Sequence, residues 1–217
     1  MGANQLNTAL IAGASGLIGS QLLQLLLSNN TFTNVVSVGR RKLPFEHSKL
    51  KQYIVDFDKL EELNVEVDAV FCCLGTTINK AGSKEAFKKV DYHFPLALAN
   101  YAFEKGAKSF HIVTAMGANA QSGIFYNKVK GLVEDDLVKV EINQIHIYRP
   151  SLLLGNRAEK RVMERFGQLI MNALGFLFIG LLKNYKAIEA NKVALFMLQS
   201  STSDNNGCFV HSSGEMQ

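Results

Sequence analysis

Cysteine and proline are both scarce in this chain, which has three of each among its 217 residues. The cysteines are Cys72, Cys73 and Cys208, an odd number with two of them adjacent, so we expect neither a disulfide framework nor a metal site. This usage is typical of a reducing compartment. The seventeen glycines suit tight turns between regular elements. With only three prolines, the chain is neither proline-rich nor collagen-like.

Long apolar runs and a large excess of charge of one sign are absent as well. The most apolar late stretch, 169–182, has about 14 residues and three interruptions, whereas a spanning helix needs about 20. The first ten residues have no basic segment followed by an apolar one, so we expect no signal peptide, no stable membrane insertion and a cytoplasmic location. The net charge of +4 comes from scattered lysines, which speaks against nucleic acid and suits an acidic small molecule.

Short apolar runs alternate with longer helical patterns, and this alternation predicts βαβ units around a parallel sheet. The predicted strands are 9–12, 35–38, 53–55, 69–73, 110–114, 145–148 and, late in the chain, 208–211. The predicted helices are 17–28, 83–105 with a break near Tyr92 because of Pro95, 125–140, 162–173 and 189–200.

The predicted fold class is α/β, a Rossmann-type doubly wound parallel sheet. We expect a single domain over residues 1–217, since the length suits about one domain. The alternation weakens near residue 150. The expected core therefore covers about 7–150, and a small C-terminal substrate-side lobe covers about 151–217.

The strongest short motif, GASGLIG, lies between the first predicted strand and the first predicted helix. Its glycines allow a sharp turn close to a pyrophosphate, and the helix start directs N–H groups and its positive dipole end at that anion. A bare strand-to-helix turn is the alternative. The position in the first βα turn favours a dinucleotide cofactor. The expected contacts are Gly13, Ser15, Gly16, Leu17, Ile18 and Gly19.

Three consecutive cations, Arg40, Arg41 and Lys42, follow the second predicted strand, where an NAD site would place an acidic residue. Cations cannot accept hydrogen bonds from ribose hydroxyls, but arginine clamps a 2′-phosphate with two parallel bonds. A solvated charged loop is the alternative. The position favours NADP(H), with Arg40 and Arg41 on the phosphate.

Tyr126 and Lys130 lie four residues apart in a predicted helix and therefore share a face. A lysine cation beside a tyrosine makes its hydroxyl a better proton donor near neutral pH. Thr114, at the end of the fifth predicted strand, would hydrogen-bond a substrate carbonyl and orient it toward the tyrosine. An ordinary helix-surface contact is the alternative for the pair taken alone. The hydroxyl residue at a strand end and the glycine turn favour a catalytic set.

These segments resemble the atypical short-chain dehydrogenase/reductases, and within them the Tat-interacting protein oxidoreductase family. The resemblance runs from about residue 7 to residue 154. It rests on GASGLIG, VGRRKLPF, VDFDKL, FCCLGTTINKAGS, VDYHFPLALA, YNKVKGLVE and YRPSLLLG. It implies a Rossmann core, NADP(H) as cofactor and a catalytic set of Thr114, Tyr126 and Lys130.

The same resemblance implies further cofactor contacts. It places Asp56 and Phe57 near the adenine, Leu74, Gly75 and Thr76 along the ribose-phosphate path, and Pro150, Ser151 and Leu152 near the nicotinamide. The chain departs from the pattern at two places. These reductases usually carry serine where Thr114 stands, and the asparagine that often completes a catalytic tetrad has no clear counterpart, with Asn100 and Asn127 both open.

The sequence therefore predicts an NADPH-dependent reductase of the short-chain type that acts on a small carbonyl compound, with Tyr126 as proton donor. Tyr126 and Lys130 are also expected to contact the cofactor, with Lys130 holding the tyrosine and the ribose. The alternative is a non-catalytic NADP(H)-binding regulatory or sensor protein. The Tyr–Lys pair favours the enzyme. A homo-oligomer is compatible with the sequence. The isolated histidines His93, His111 and His146 are expected to be core or edge residues rather than metal ligands.

Overall fold

A seven-stranded parallel sheet forms the centre of the computed structural model, which describes residues 7–154 and 186–217. Its strands are β1 (Thr8–Ala12), β2 (Asn34–Gly39), β3 (Leu50–Ile54), β4 (Ala69–Cys72), β5 (Ser109–Val113), β6 (Gln144–Arg149) and β9 (Gly207–Ser212). The spatial order is β3-β2-β1-β4-β5-β6-β9. A separate parallel pair joins β7 (Leu153–Leu154) to β8 (Ile188–Glu189). The strand order reverses between β1 and β4, as in a Rossmann fold, so that prediction is confirmed.

Six α-helices flank the sheet in the described part of the chain. They are α1 (Leu17–Ser28), α2 (Ile78–Ala81), α3 (Lys84–Lys88), α4 (Phe94–Glu104), α5 (Phe125–Leu137) and α6 (Ala190–Ser200). A 3₁₀ turn covers Leu60–Glu62, and a π-helical turn, Lys89–His93, lies between α3 and α4. The predicted break near Tyr92 is therefore confirmed. The helix predicted over 162–173 lies outside the described residues.

Two predicted boundaries are wrong by three residues. Helix α5 ends at Leu137 rather than at residue 140, because the chain turns there with short bonds from Lys139 N–H to Asp136 and from Val140 N–H to Leu137. Strand β3 begins at Leu50 rather than at residue 53. It is an edge strand with a single neighbour, so polar residues enter it and the apolar run that marks a buried strand is missing.

The core has two halves, one on each face of the sheet. Leu10 of β1 faces α4 and α5, whereas Ile11 faces α1 and α6. Cys72 packs in the first half and Cys73 against the second, so the two side chains face opposite sides of the sheet. Although the sequence placed the end of the core near residue 150, α6 packs against α1 and β9 pairs with β6. The segment 190–212 therefore extends the main sheet and its core.

Three histidines form a layer on the sheet face that packs against α6. His111 of β5 stacks on His146 of β6 with ring centroids 4.7 Å apart, and His146 Nδ1 lies 3.0 Å from Nε2 of His211 on β9. Burial lowers the pKa of His146 to about 4, with a contribution from His211. Burial also holds the pKa of His111 well below its usual range. His111 and His146 are core residues as expected, whereas His93 is exposed.

The free energy of unfolding should fall in acid because of this layer. The unfolded chain protonates His146 near pH 6.5, but the folded chain does so only near pH 4. Stability is therefore full above pH 6.5 and is lost as the pH falls toward 4, since the unfolded state binds more protons in that window. At about 1.4 kcal/mol per pH unit, His146 contributes about 3 kcal/mol. Urea denaturation at about pH 7 and about pH 4 measures this loss.

The variant His146→Gln isolates the contribution of this side chain. Its stability should fall less between the two pH values than that of the parent chain. The matched control is His47→Gln, because His47 is exposed. A loss of the same size in all three proteins would show that other groups cause the acid sensitivity.

Candidate cofactor and active site

The glycine turn lies between β1 and α1, where the sequence predicts it. Gly13 has a φ of +84°, a left-handed conformation that favours glycine, and a Cβ there would lie 2.4 Å from the carbonyl oxygen of Cys73. A Cβ at Gly19 would lie 2.2 Å from the carbonyl oxygen of Gly13. Both positions need glycine because the helix, the turn and the end of β4 approach so closely.

The N-terminus of α1 is open to an anion. Gly16 caps the helix without a side chain, and the first turn contains no acidic residue. The first N–H groups of a helix have no intrahelical acceptor, and the helix dipole adds positive charge there. Ser15 and Gly16 are exposed and Leu17 is half-buried, whereas Ile18 is buried in the core, so only its backbone can face a ligand. This cradle fits a pyrophosphate.

Arg40 and Arg41 directly follow β2, the strand next to β1, and therefore lie on the same edge of the sheet as the glycine turn. Both side chains are exposed. Within residues 7–154 and 186–217, neither has an ion-pair or hydrogen-bond partner. Both guanidinium groups are thus available to an external anion.

The two residues that the resemblance assigns to the adenine differ in exposure. Asp56 is exposed after β3, and its Oδ1 accepts the N–H of Asp58 at 3.0 Å. Phe57 is buried, and its ring stacks on Phe94 of α4 with centroids 5.1 Å apart. The exposed Asp56 can therefore contact a ligand, whereas the Phe57 ring packs against α4.

The segment 74–76 follows β4 and lies against Lys130, the lysine of the predicted catalytic set. Gly75 is exposed, and a Cβ there would lie 3.9 Å from Nζ of Lys130. The N–H of Thr76 donates to Asp91 Oδ2 at 3.0 Å. Leu74 is half-buried against the core. The structure thus brings the predicted ribose-phosphate path and Lys130 together.

The residues expected near the nicotinamide follow β6. Pro150 is buried, and the Ser151 hydroxyl donates to the carbonyl of Lys186 and accepts from the Ser213 hydroxyl at 2.8 Å. Leu152 is exposed. The Ser151 side chain therefore joins β6 to the last described segment, and Leu152 offers an apolar surface.

Tyr126 and Lys130 share one face of α5. Tyr126 is half-buried, its ring lies 5.5 Å from that of Phe87, and its hydroxyl has no hydrogen-bond partner in the described part of the chain. Lys130 is buried, and its Nζ lies 2.8 Å from Oδ1 of Asp91. The face thus presents an available hydroxyl one turn from a buried cation.

Lys130 keeps its charge because of its neighbours. Burial alone would lower the pKa of Lys130, but the Asp91 carboxylate, with a contribution from Tyr126, outweighs burial, so that the pKa is raised. Burial raises the pKa of Asp91, against the opposing effects of the Lys130 ammonium and the Thr76 N–H. The counter-ion of Lys130 therefore belongs to the protein itself.

Thr114 lies at the end of β5, but its hydroxyl has an internal partner. It donates to Oε1 of the buried Glu134 on α5, and the Tyr148 carbonyl lies 3.3 Å away. Arg149 pairs with both oxygens of the same carboxylate, its Nε lying 3.2 and 3.1 Å from them. In the structure this hydroxyl donates to Glu134 and not toward a substrate. The contact of Thr114 with a substrate carbonyl therefore stays a prediction.

The sequence did not identify three charged residues of this site, which are Asp91, Glu134 and Arg149. All three lie inside segments that carry the family resemblance, VDYHFPLALA, YNKVKGLVE and YRPSLLLG, so a charged residue within such a segment was the available signal. The two asparagines left open have no contact with these three residues among the described hydrogen bonds. Asn100 is exposed on α4, and Asn127 packs against Gly117, where a Cβ would lie 2.9 Å from Nδ2 of Asn127.

The fold is similar to that of the Bordetella bronchiseptica enzyme WbmH, solved in complex with NAD+. The TM-score is 0.68 at 16% sequence identity, and the match covers 95% of this chain and 75% of that one. At this level of identity the likeness concerns the fold. It agrees with the strand order described above.

Two curated relatives are more similar in sequence. Protein HTATIP2 of Rattus norvegicus is 37% identical over 176 residues, which cover 78% of this chain and 72% of that protein. "Protein FMP52, mitochondrial" of Candida albicans is 37% identical over 198 residues, covering 87% of this chain and 86% of that protein.

The name of the Candida albicans protein contradicts the cytoplasmic location predicted from the sequence. That prediction rested on the lack of a secretory signal, which does not exclude other targeting signals. Among the described residues, no helix combines the length and the apolar character needed to cross a bilayer.

The HIM1 family model matches residues 26–176, a stretch that includes α5 with Tyr126 and Lys130. The match covers more than half of the chain, and each of the two relatives aligns with a larger share of it. Together they confirm the resemblance that the sequence motifs indicated. This chain belongs to the HIM1 family.

Proposed function

We propose that this chain is an NADPH-dependent oxidoreductase of the short-chain dehydrogenase/reductase type that reduces a small carbonyl compound. The observation that carries the proposal is the unpartnered Tyr126 hydroxyl, within the described residues, one turn from the buried and charged Lys130. The NAD+ bound by WbmH, whose fold this chain shares, supports a nicotinamide dinucleotide as cofactor.

In this proposal the open N-terminus of α1 holds the pyrophosphate, because its N–H groups and dipole attract an anion. Arg40 and Arg41 hold the 2′-phosphate from the end of the neighbouring strand. Asp56 and the segment 74–76 line the path between them and Lys130. Pro150 and Leu152 lie toward the nicotinamide.

Tyr126 and Lys130 carry the proposed chemistry. When bound, the cofactor supplies the hydride that adds to the carbonyl carbon. Tyr126 donates its proton to the carbonyl oxygen, which completes the alcohol and leaves a phenolate. The Lys130 ammonium, held on the same face of α5, stabilises that phenolate by its charge.

Thr114 supports this site from the end of β5. A carbonyl oxygen is oriented by a donated hydrogen, and the hydrogen of Thr114 is directed to Glu134. A direct contact with substrate therefore requires that Thr114 exchange this partner. Through its hydrogen bond to Glu134, Thr114 connects β5 to α5 and so fixes the helix that carries Tyr126.

The function is tested by following NADPH oxidation against a panel of aldehydes, ketones and quinones. We expect turnover with at least one class of carbonyl compound. A chain that binds NADPH and reduces nothing in the panel would contradict the proposal and favour the non-catalytic sensor.

Cofactor choice should depend on the two arginines. We expect NADPH to bind at least about tenfold more tightly than NADH, a difference of about 1.4 kcal/mol in binding free energy. The double variant Arg40→Ala, Arg41→Ala should lose this preference and bind NADH nearly as the parent chain does. Calorimetric titration with both cofactors measures it.

A control should remove the same charge elsewhere. The double variant Lys51→Ala, Lys59→Ala does so at exposed positions of β3 and the loop after it. It should keep the preference for NADPH. Equal affinities of the parent chain for the two cofactors would contradict the phosphate-binding role of the arginines.

A further inference from the structure

Asp91 uses its two carboxylate oxygens on two different parts of the site. Oδ1 lies 2.8 Å from Nζ of Lys130 on α5, and Oδ2 accepts the N–H of Thr76 at 3.0 Å. The side chains of Lys130 and Asp91 are 5% and 0% exposed. One buried carboxylate thus connects the helix of Tyr126 to the segment that follows β4.

The backbone at Asp91 is unusual. Asp91 is the buried residue of the π turn Lys89–His93, in which the N–H of Phe94 donates to the carbonyl of Lys89. Pro95 has no N–H, which excludes a regular α-helical bond to the carbonyl of Asp91. Single π turns inside helices occur frequently at functional sites.

The buried Lys130 ammonium needs a counter-ion, because an unpaired charge is costly to remove from water. Besides Asp91, the titratable groups that act on Lys130 are Tyr126 and Cys72. Burial raises the pKa of the Cys72 thiol to about 12, so it stays neutral and cannot balance the ammonium. Among the described residues, Asp91 is the one carboxylate paired with Lys130.

We infer that Asp91 is a positioning residue, which holds the Lys130 ammonium charged and fixed against the segment 74–76. Lys130 and this segment then keep a fixed position relative to each other. A ligand that binds the segment therefore contacts a lysine that needs no rearrangement. The inference rests on the proposed function for the roles of Lys130 and the segment.

The test is an NMR titration of the lysine ammonium groups in the full chain, with the Lys130 signal identified by its loss in Lys130→Met. The variant Asp91→Asn keeps the shape and can still accept the Thr76 N–H, but it removes the charge. We expect Lys130 to titrate about one to three pH units lower in this variant. Asp91→Glu, which restores the charge, should move the titration back toward the parent value.

The matched control is Asp58→Asn, which breaks an Asp–Lys pair at the surface, where both side chains are 51% exposed. It should leave the Lys130 titration unchanged. NADPH affinity should fall about tenfold in Asp91→Asn and stay at the parent value in Asp58→Asn. A merely structural role for Asp91 would lower stability without shifting the lysine titration.

A folded Asp91→Asn variant with the parent titration of Lys130 would overturn the inference. If that variant does not fold, the double variant Asp91→Asn, Lys130→Met tests the inference instead. Removal of both charges should restore folding if the unpaired Lys130 ammonium is the reason that Asp91→Asn does not fold. A double variant that also fails to fold would overturn it. If the parent chain binds no NADPH, the proposed function fails, while the lysine titration still decides the role of Asp91.

Discussion

Tyr126→Phe is expected to lower turnover by about 10²- to 10⁴-fold, the usual contribution of general acid catalysis. The substitution removes only the hydroxyl. The ring keeps its contact with Phe87, and no hydrogen bond among the described residues is lost, because this hydroxyl has none there. NADPH affinity and the free energy of unfolding should therefore stay close to the parent values. Turnover is measured with the best carbonyl compound from the panel, and affinity by calorimetry.

The control for this experiment is Tyr53→Phe. Tyr53 lies on the edge strand β3 with 39% of its surface exposed, and it has no part in the proposed chemistry. Its turnover should match that of the parent chain. Parent-like turnover in Tyr126→Phe would show that another group donates the proton.

Glu134→Ala should cause a large loss of stability. Its carboxylate is 5% exposed, accepts the Thr114 hydroxyl and pairs with Arg149 through two guanidinium nitrogens. Removal of one partner from a buried pair leaves the other charge without compensation. We expect a loss of about 3 kcal/mol in the free energy of unfolding, at the low end for such pairs, because 34% of the Arg149 side chain remains exposed to water.

Urea denaturation measures this loss, and the neighbouring carboxylate provides the control. Asp135 is exposed and has no hydrogen-bond or ion-pair partner within the described ranges, so Asp135→Ala should change stability by less than about 0.5 kcal/mol. The double variant Glu134→Leu, Arg149→Met should recover most of the stability, since it leaves no buried charge. Similar losses for Glu134→Ala and Asp135→Ala would contradict this account of the pair.

Much of the fold could be predicted because the strands at the centre of the sheet are buried on both faces. Such strands consist of continuous apolar runs, as in β1 and β4, and glycine marks the turns that follow them. The edge strand β3 was placed three residues late, because none of its residues is fully buried and polar residues such as Lys51 and Gln52 are therefore tolerated. Periodicity identifies buried strands better than edge strands.

The Tyr126–Lys130 pair could be predicted because it is local. Two residues four apart share a helix face whatever surrounds the helix. Asp91 could not, since its partner lies on another helix and only tertiary packing joins them. A charged residue in a helical stretch is usually solvated, so only its place in a segment of family resemblance separated Asp91 from the exposed Glu85 nearby.

Thr114 shows another limit of sequence reasoning. Its position at a strand end and its hydroxyl were both predicted, but the direction of the hydrogen bond depends on which acceptor packs against it. Glu134 on the following helix provides that acceptor, and Arg149 holds the acceptor in place. The residue type defines what a side chain can donate, and the packing decides where the donated hydrogen goes.

The all-parallel sheet also bears on how fast this chain reaches its native state. Parallel neighbours cannot be joined by a hairpin, so each pairing closes a loop over a crossover. Asn7, beside β1, bonds to Asp68 across 61 residues, and His146 meets His211 across 65. Folding rates fall as contacts become more distant along the chain, because the closure entropy is lost before those contacts form. The topology that gathers the site at one edge of the sheet therefore also makes folding slow, with strand edges exposed until distant segments meet.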